Sequence, residues 1–244
     1  MNQQLAKKRL GIFSLTCCEG CQFALLKDYI SFQKVLEYYD IINFRLAQET
    51  NLPGPFDVVL IEGTPESDRE IKLLKEIRKE SAVVVAIGSC AILGGIQSER
   101  NRLPQKYIGS EKVKTIKNVI KVDYEIPGCP IDNTETIGYL LNLYFGKNIE
   151  LPDYSVCFEC RQNENNCLIK TKKLCLGPIT RGGCNSVCIN GGEACLGCRG
   201  ATNQANFDKL RETLKSFTDS EEIENILTIY GEYEKDSKDR HDRK

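Results

Sequence analysis

Residues 82–95 read AVVVAIGSCAILGG, and this stretch decides the fold. Its first six residues form a continuous apolar run, which is typical of a parallel strand buried on both faces of a sheet. Two further runs, FDVVLI at 56–61 and RLGIFSL at 9–15, predict strands as well, and residues 119–126 predict a weaker one. We therefore expect a sheet with a cysteine placed directly after one of its central strands.

Helices are predicted between and after these strands. The segment 67–80, SDREIKLLKEIRKE, opens with Ser67 and Glu70 in capping-box spacing. A second helix begins near Asp132 and stops at Gly146. Because strands that alternate with helices build a parallel, helix-covered sheet, residues 1–150 are expected to form an α/β domain of the flavodoxin-like type.

Composition excludes several classes of function. The chain has 244 residues, of which 41% are hydrophobic and 27% charged, with a net charge of −1. It therefore has no basic surplus for nucleic acid, and no apolar stretch long enough to span a membrane. The N-terminal residues resemble no secretory signal, so we expect a cytoplasmic protein.

The cysteines carry the function, since the chain has 13 Cys and a single His. One histidine argues against zinc sites of the Cys/His type, Ser-His-Asp triads and Cys-His nucleophiles, all of which need imidazole. Cytoplasmic thiols stay reduced, so a dense pattern of cysteines favours metal binding over disulfides.

Four cysteines of the first half follow predicted strands. Ligands of open parallel sheets bind beyond the carboxyl ends of the strands, so these four thiols can converge although they are distant in sequence. Four thiolates without histidine suit either Zn²⁺ or an iron–sulfur cluster. The predicted ligands are Cys18, Cys21, Cys90 and Cys129, and we expect Cys17 to be a buried thiol beside them.

The composition changes after Pro152, and a segment rich in cysteine follows. It contains too few large apolar residues to fold by burial alone, so bound metal must hold it together. Eight ligands divide into two four-thiolate centres, and the sequence leaves both their grouping and a pair of Zn(Cys)₄ ribbons open. The eight are Cys157, Cys160, Cys167, Cys175, Cys184, Cys188, Cys195 and Cys198.

Helical periodicity returns at Phe207. Two short amphipathic helices are predicted, with Thr218 capping the second in a box with Glu221, followed by a charged tail at 231–244. The expected domains are 1–150 with the first metal centre, 151–202 with two further centres, and 203–244 with the C-terminal helices and tail.

At this point the motifs resemble a known family. TCCEGC (16–21), LIEGT (60–64), GSCAILGGIQ (88–97), PGCP (127–130), CLGPITRGGCNSVC (175–188) and CLGCRG (195–200) are similar to the small subunits of cytoplasmic multimeric [NiFe]-hydrogenases. Within that family the chain looks most like the small or delta subunits of F420-reducing, F420-non-reducing and sulfhydrogenase-type enzymes. The resemblance covers residues 9–200.

The resemblance implies an electron-relay subunit of an oxidoreductase that uses H₂ as donor. Cys18, Cys21, Cys90 and Cys129 look like ligands of a proximal [4Fe-4S] cluster, and the Cys-rich, ferredoxin-like domain would hold a medial and a distal [4Fe-4S] cluster. The NiFe centre would lie in a partner large subunit. Electrons would leave toward a flavin and iron–sulfur, diaphorase-type subunit that serves NAD(P), F420 or ferredoxin.

Two alternatives stay open. The doublet of Cys17 and Cys18 resembles the tandem cysteines of the related respiratory complex I subunit, so Cys17 could replace Cys18 as a ligand. The competing function is a zinc-stapled Cys₄ scaffold protein without redox activity.

Three charged residues lie beside the expected ligands. Glu62 ends the second predicted strand and is interpreted either as a carboxylate near the proximal cluster or as a helix-entry residue. Arg181 and Arg199 adjoin cysteines, where a cation would offset the negative charge of a four-thiolate cluster, and the alternative is a solvated surface arginine.

Overall fold

The protein is described by a computed structural model that covers residues 6–104, 106 and 113–231. These residues form two compact units, with residues 6–92 and 113–150 in the first and residues 93–104 and 151–231 in the second. The sequence placed 93–104 with the α/β domain instead. This segment joins the second unit because the Arg102 guanidinium donates to the Asn225 carbonyl, and Gly94 forms a bridge with Gly231.

The first unit is built on a five-stranded sheet in the order β2-β1-β3-β4-β5. All neighbouring strands pair in parallel, and this order is the flavodoxin-like one. The predicted fold class is therefore confirmed. The strands are β1 (Lys8–Ser14), β2 (Tyr39–Phe44), β3 (Phe56–Glu62), β4 (Ser81–Ile87) and β5 (Tyr124–Ile126).

Five α-helices and a 3₁₀ turn at Ile116–Asn118 accompany the sheet in the described part of this unit. Ser67 and Glu70 form the predicted capping box, and Asp132 accepts a hydrogen bond from the Glu135 N–H at the start of its helix. The helices are α1 (Gly20–Leu26), α2 (Tyr29–Tyr38), α3 (Asp68–Lys79), α4 (Gly88–Leu93) and α5 (Asn133–Tyr144).

The core of the first unit lies between the sheet and the helices α1, α2 and α5. Fully buried residues of the central strands, such as Leu10, Leu60 and Ile87, meet Val35 of α2 and Leu140 of α5. At about 25 cal/mol for each Å² of apolar surface, burial on this scale is the main stabilising contribution to the unit. This unit therefore folds around its own apolar core and fixes the carboxyl ends of β1, β3, β4 and β5.

Three details differ from the sequence predictions. The weak strand predicted at 119–126 is reduced to β5, preceded by the turn Ile116–Asn118. The edge strand β2 was not predicted at all. The last helix is capped by Asp219, whose carboxylate accepts the Glu222 N–H at 2.8 Å, and Thr218 instead hydrogen-bonds to the Glu222 side chain.

In the second unit, short helices and turns are joined by isolated bridges. One cluster of its buried residues consists of Val156, Ile189 and three cysteines, Cys160, Cys175 and Cys195. Other apolar side chains are buried outside this cluster, among them Leu176 and Ile179 and, near the C-terminal end, Leu214 and Ile223. The helices described in this unit are α6 (Val156–Gln162), α7 (Val187–Asn190), α8 (Phe207–Leu214) and α9 (Ser220–Thr228), with 3₁₀ turns at Gly95–Arg102 and Leu168–Thr171.

None of the helices that the structure describes is both long and apolar enough to cross a membrane. The charged tail predicted for 231–244 lies outside the described residues, apart from Gly231.

Candidate metal centres

The first group of thiols lies where the strands of the sheet end. Cys18 and Cys21 follow β1, Cys90 lies on α4 directly after β4, and Cys129 follows β5. The Ser89 N–H donates to the Gly128 carbonyl at 2.8 Å, so the loops after β4 and β5 are joined at this edge.

Cys21 is the buried member of the group, with 8% of its surface exposed. Its Sγ atom lies 2.5 Å from the position of a Cβ atom built at Gly88, so the loop after β4 packs directly on this thiol. Burial raises the pKa of Cys21, and the charges of Glu62 and Cys129 raise it further. The loops after β1, β4 and β5 therefore converge around Cys21.

Cys18 is exposed, as is Cys129. The Sγ atom of Cys18 lies 3.3 Å from a Cβ position built at Gly20, and the Cβ atom of Pro130 lies 4.0 Å from that position. The segment that carries Cys18 thus lies against the Cys129–Pro130 loop, as the strand-end argument predicts for neighbouring ligands.

Cys17 is half-buried beside the end of β3. Its Sγ atom accepts the Glu19 N–H at 3.4 Å, and its Cβ atom lies 3.1 Å from a Cβ position built at Gly63. Burial raises the pKa of Cys17 to about 12, and the charge of Glu62 contributes. Cys17 therefore packs against the loop after β3, and its interpretation as a thiol beside the first centre stays a prediction.

Glu62 faces the cysteine loop and leaves only 2% of its surface exposed. Its Oε2 atom accepts the Cys21 N–H at 3.2 Å, and Oε1 is buried without a hydrogen-bond partner among the described residues. Burial raises the pKa of Glu62. Entry into α3 is organised instead by Glu70, which accepts the N–H groups of Glu66 and Ser67. The helix-entry interpretation of Glu62 is therefore wrong.

The second group of thiols is carried by α6 and the turns that follow it. Burial raises the pKa of Cys157 to about 11, and charges on Cys175, Cys160 and Cys167 act in the same direction. Burial likewise raises the pKa of Cys160, with contributions from Cys175 and Cys167. These four are successive cysteines of the chain, with no other cysteine between them. The structure brings them close to one another.

The third group centres on Cys195, which is buried. Burial raises the pKa of Cys195 well above its usual value, and charges on Cys175 and Cys198 add to the shift. The Cys195 carbonyl accepts the Leu176 N–H at 2.8 Å, so the third group contacts the segment that carries Cys175. Cys188 is exposed on α7, where its carbonyl accepts the N–H groups of Gly191 and Glu193.

The backbone of Gly177 lies close to thiols of both groups, and its surroundings show whether there is room for a bulky group there. A Cβ atom there would lie 3.4 Å from the Sγ atom of Cys157, 3.5 Å from that of Cys175 and 3.9 Å from the Cβ atom of Cys195. Glycine therefore keeps open the space that those sulfur atoms face. A glycine cradle lined by thiols has the donor chemistry of a four-thiolate iron–sulfur cluster, and the residues that the structure describes include no histidine.

All 13 cysteines lie in the described part of the chain, and none of them forms a disulfide there. Over the described residues, no three or more His, Cys, Asp or Glu side chains are arranged to hold a metal ion. Several of the expected ligands, such as Cys157, Cys160 and Cys175, therefore lie near one another without being closed around one ion.

The two arginines singled out in the sequence are both buried, so the surface interpretation is wrong for each. Arg199 donates from Nε to the Gly182 carbonyl at 2.7 Å, and its charge lowers the pKa of Cys184, which burial and Glu159 raise. Arg181 donates to the carbonyls of Pro152 and Ala201. Arg199 therefore lies near a predicted ligand, whereas Arg181 ties backbone segments together.

Glu159 was not singled out in the sequence. It is 6% exposed and lies on α6 between Cys157 and Cys160. In the sequence, Glu159 is only a charged residue inside a Cys-x-x-Cys motif. Charged residues are usually solvated, so the sequence gave no reason to select it.

Comparison with known families decides what kind of chain carries these thiols. The profile of the family described as NADH ubiquinone oxidoreductase, 20 Kd subunit, matches residues 18–143, which is slightly more than half of the chain. The chain belongs to this family. The matched region of this family member contains all four cysteines at the edge of the sheet.

Relatives of this family member include hydrogenase subunits. The delta subunit of sulfhydrogenase 2 from Pyrococcus furiosus is 34% identical over 236 residues, covering 92% of this chain and 100% of the relative. A vhu subunit of the F420-non-reducing hydrogenase from Methanocaldococcus jannaschii is 30% identical over 239 residues, covering 81% of this chain and 83% of the relative. The resemblance to small hydrogenase subunits is confirmed.

A solved structure shares the fold of this family member. One chain in the crystal structure of NAD⁺-reducing [NiFe]-hydrogenase in the H₂-reduced state aligns with a TM-score of 0.55 at 23% identity. The alignment covers 60% of this chain and 96% of that chain. This likeness supports the α/β fold assigned above.

Proposed function

We propose that this chain is the electron-relay small subunit of a [NiFe]-hydrogenase, an oxidoreductase that uses H₂ as donor. The observation that carries the proposal is the convergence of three cysteine-bearing loops, after β1, β4 and β5, around the buried thiol of Cys21. The family and the hydrogenase relatives described above support the same conclusion.

The first centre would be held by Cys18, Cys21, Cys90 and Cys129 at the edge of the sheet. When bound there, a [4Fe-4S] cluster supplies reversible one-electron transfer. The chain itself supplies the rest of the site. Gly88 admits the Cys21 thiol, and the Glu62 carboxylate fixes the Cys21 backbone N–H.

Two further [4Fe-4S] clusters would be held in the second unit. The mutual proximity of Cys157, Cys160, Cys167 and Cys175 supports one set of four ligands. The remaining four, Cys184, Cys188, Cys195 and Cys198, would then form the other set, in which Cys195 lies near Cys198. Cys195 lies near both Cys175 and Cys198, so the two sets adjoin. Adjoining centres suit stepwise electron transfer, because an electron must move between successive centres.

The partners follow from this role. H₂ would be split or formed at the NiFe site of a large subunit, and electrons would pass between that site and a flavin and iron–sulfur, diaphorase-type subunit. The acceptor served by that subunit would be NAD(P), F420 or ferredoxin, and the complex would work in the cytoplasm. The names of the two relatives, a sulfhydrogenase subunit and an F420-non-reducing hydrogenase subunit, support a multisubunit hydrogenase.

The test is metal analysis of the complex purified without oxygen, with identification of the chains that copurify. We expect about twelve iron atoms and as many acid-labile sulfides for each copy of this chain, four for each cluster, beyond those that the partner subunits carry. A large subunit should copurify, and H₂ should reduce the clusters of the intact complex. Zinc in place of iron, without labile sulfide, would overturn the proposal in favour of a zinc-stapled scaffold.

A further inference from the structure

The side chain of Glu159 connects the two groups of cysteines in the second unit. It extends from α6, between Cys157 and Cys160, to the segment that carries Cys184. A buried carboxylate is costly unless its oxygen atoms are hydrogen-bonded, so its partners indicate what it holds in place.

Both oxygen atoms of Glu159 bind backbone on either side of Cys184. Oε1 accepts the Gly183 N–H at 2.5 Å, and Oε2 accepts the Ser186 N–H at 3.0 Å. The Tyr154 hydroxyl donates to Oε1 at 3.2 Å, and the Cys184 Sγ atom lies 3.9 Å from Oε2. One side chain thus fixes the turn that presents Cys184.

The turn needs this support because its backbone is strained. Asn185 and Ser186 have φ angles of 52° and 50°, in the left-handed region that non-glycine residues rarely adopt. The backbone at Gly182 is packed tightly at the start of this turn. A Cβ atom there would collide with the Tyr154 ring and lie 3.2 Å from the Glu159 Oε1 atom. The two N–H groups bound by Glu159 flank Cys184 within this confined turn.

Two buried charges of opposite sign lie near Cys184. Glu159 is 6% exposed and Arg199 is 1% exposed, and the Arg199 guanidinium donates to the Gly182 carbonyl two residues before Cys184. Charges withdrawn from water are screened weakly, so each acts strongly on a nearby metal centre. Loss of one charge would leave the other unbalanced.

We propose that Glu159 is a positioning residue for Cys184, and that its negative charge, balanced by Arg199, sets the reduction potential of the cluster that Cys184 binds. This inference rests on the proposed function, since it requires a cluster at Cys184. Reduction adds one electron to the cluster, supplied in the test by dithionite. A nearby negative charge opposes this addition and lowers the potential, and a nearby positive charge raises it.

The test is an electron paramagnetic resonance redox titration of the hydrogenase complex in four forms: wild type, Glu159→Gln, Arg199→Gln and Glu193→Gln. Glu193→Gln is the matched control, since it removes the same charge from an exposed position of the same segment. We expect Glu159→Gln to raise the midpoint potential of one cluster, and Arg199→Gln to lower the midpoint potential of that same cluster. Glu193→Gln should change all three potentials much less.

Positioning is measured separately by iron content and by the line shape of the affected signal. We expect Glu159→Gln to broaden that signal, because one of the two backbone N–H groups loses its acceptor, and Glu159→Asp to lower cluster occupancy because its carboxylate is too short to bind both. Unchanged potentials and line shapes in Glu159→Gln, or equal shifts of all three clusters, would overturn the inference. If Glu159→Gln fails to assemble, an unchanged potential in Arg199→Gln would overturn it as well.

Failure of the proposed function gives a different result. If the wild-type complex showed no iron–sulfur signals, this chain would hold no clusters and the proposed function itself would be rejected. Wild-type complex with three normal clusters, combined with unshifted variants, would reject only the role of Glu159.

Discussion

The Sγ atom of Cys21 lies 2.5 Å from the position that a Cβ atom would occupy at Gly88. Gly88 also has a φ angle of 83°, which side-chain-bearing residues adopt at a cost of about 1–2 kcal/mol. Two independent constraints therefore require glycine at the point where the loop after β4 meets a predicted ligand.

Gly88→Ala should displace Cys21 and remove the cluster at the sheet edge, so that the purified complex loses about four iron atoms for each copy of this chain, one cluster of the three proposed. Gly138→Ala is the matched control, since a Cβ atom there meets nothing within 4 Å. Gly138 lies inside α5, where alanine should stabilise the fold by about 0.5–1 kcal/mol. Iron counting and thermal unfolding measure both effects. Full iron content in Gly88→Ala would show that Cys21 is not a ligand in this position.

Loss of single ligands should affect the two units differently. Cys129→Ala should leave the first unit folded, because Cys129 is exposed and the core of that unit is apolar. It should remove one cluster and stop electron flow from the large subunit.

Cys160→Ala should unfold the Cys-rich segment 153–200. Cys160 lies in a buried cluster of three thiols and two aliphatic residues, so we expect metal binding to supply most of the folding free energy of this segment. Limited proteolysis and iron counting distinguish the two variants. A protease-resistant second unit with full iron in Cys160→Ala would contradict this account, as would equal proteolysis of both units in Cys129→Ala.

The sequence predicts the part of the fold that is set by local patterns. Continuous apolar runs identified β1, β3 and β4, and the Ser67 capping box identified α3. The edge strand β2 escaped prediction because it begins directly after α2, without a turn signal, and only its two terminal residues, Tyr39 and Phe44, are buried. Edge strands lack the second buried face that gives central strands their apolar run.

The candidate sites divide in the same way. The convergence of Cys18, Cys21 and Cys129 follows from parallel topology, since strand ends meet at one edge. The inward orientation of Glu159 could not be predicted, because it depends on the Gly183 and Ser186 N–H groups, which tertiary packing brings within its reach. The caps at Ser67 and Asp132 were predicted, whereas the cap of the last helix was placed one residue early, at Thr218 in place of Asp219.

Asp123 should make the first unit sensitive to acid. Burial opposes its ionisation, but hydrogen bonds from the Val84 N–H and the Arg78 guanidinium outweigh burial and lower the pKa of Asp123 below 3.8. A lowered folded-state pKa stabilises the fold at any pH above about 3.8, and this contribution is lost as the pH falls through the folded-state pKa.

Asp123→Asn should therefore lower the free energy of unfolding at pH 7 by about 1–3 kcal/mol, and by less below pH 4. Urea unfolding of the subunit at both pH values measures the difference, with Asp68→Asn, at an exposed position of α3, as the control. An equal loss at both pH values would show that the Asp123 charge contributes nothing.

Glu62 provides the last prediction, which separates its hydrogen bond from its charge. Glu62→Ala removes the acceptor of the buried Cys21 N–H and should destabilise the first unit by about 1–3 kcal/mol, with loss of iron at the sheet edge. Glu62→Gln keeps an oxygen acceptor at the same place, so it should retain both iron content and stability. Because the carboxyl group lies beside Cys21, we expect Glu62→Gln nevertheless to slow H₂ oxidation several-fold. Unchanged H₂ oxidation in a fully loaded Glu62→Gln complex would leave Glu62 with the Cys21 hydrogen bond alone, and the interpretation of its carboxylate as functional would be wrong.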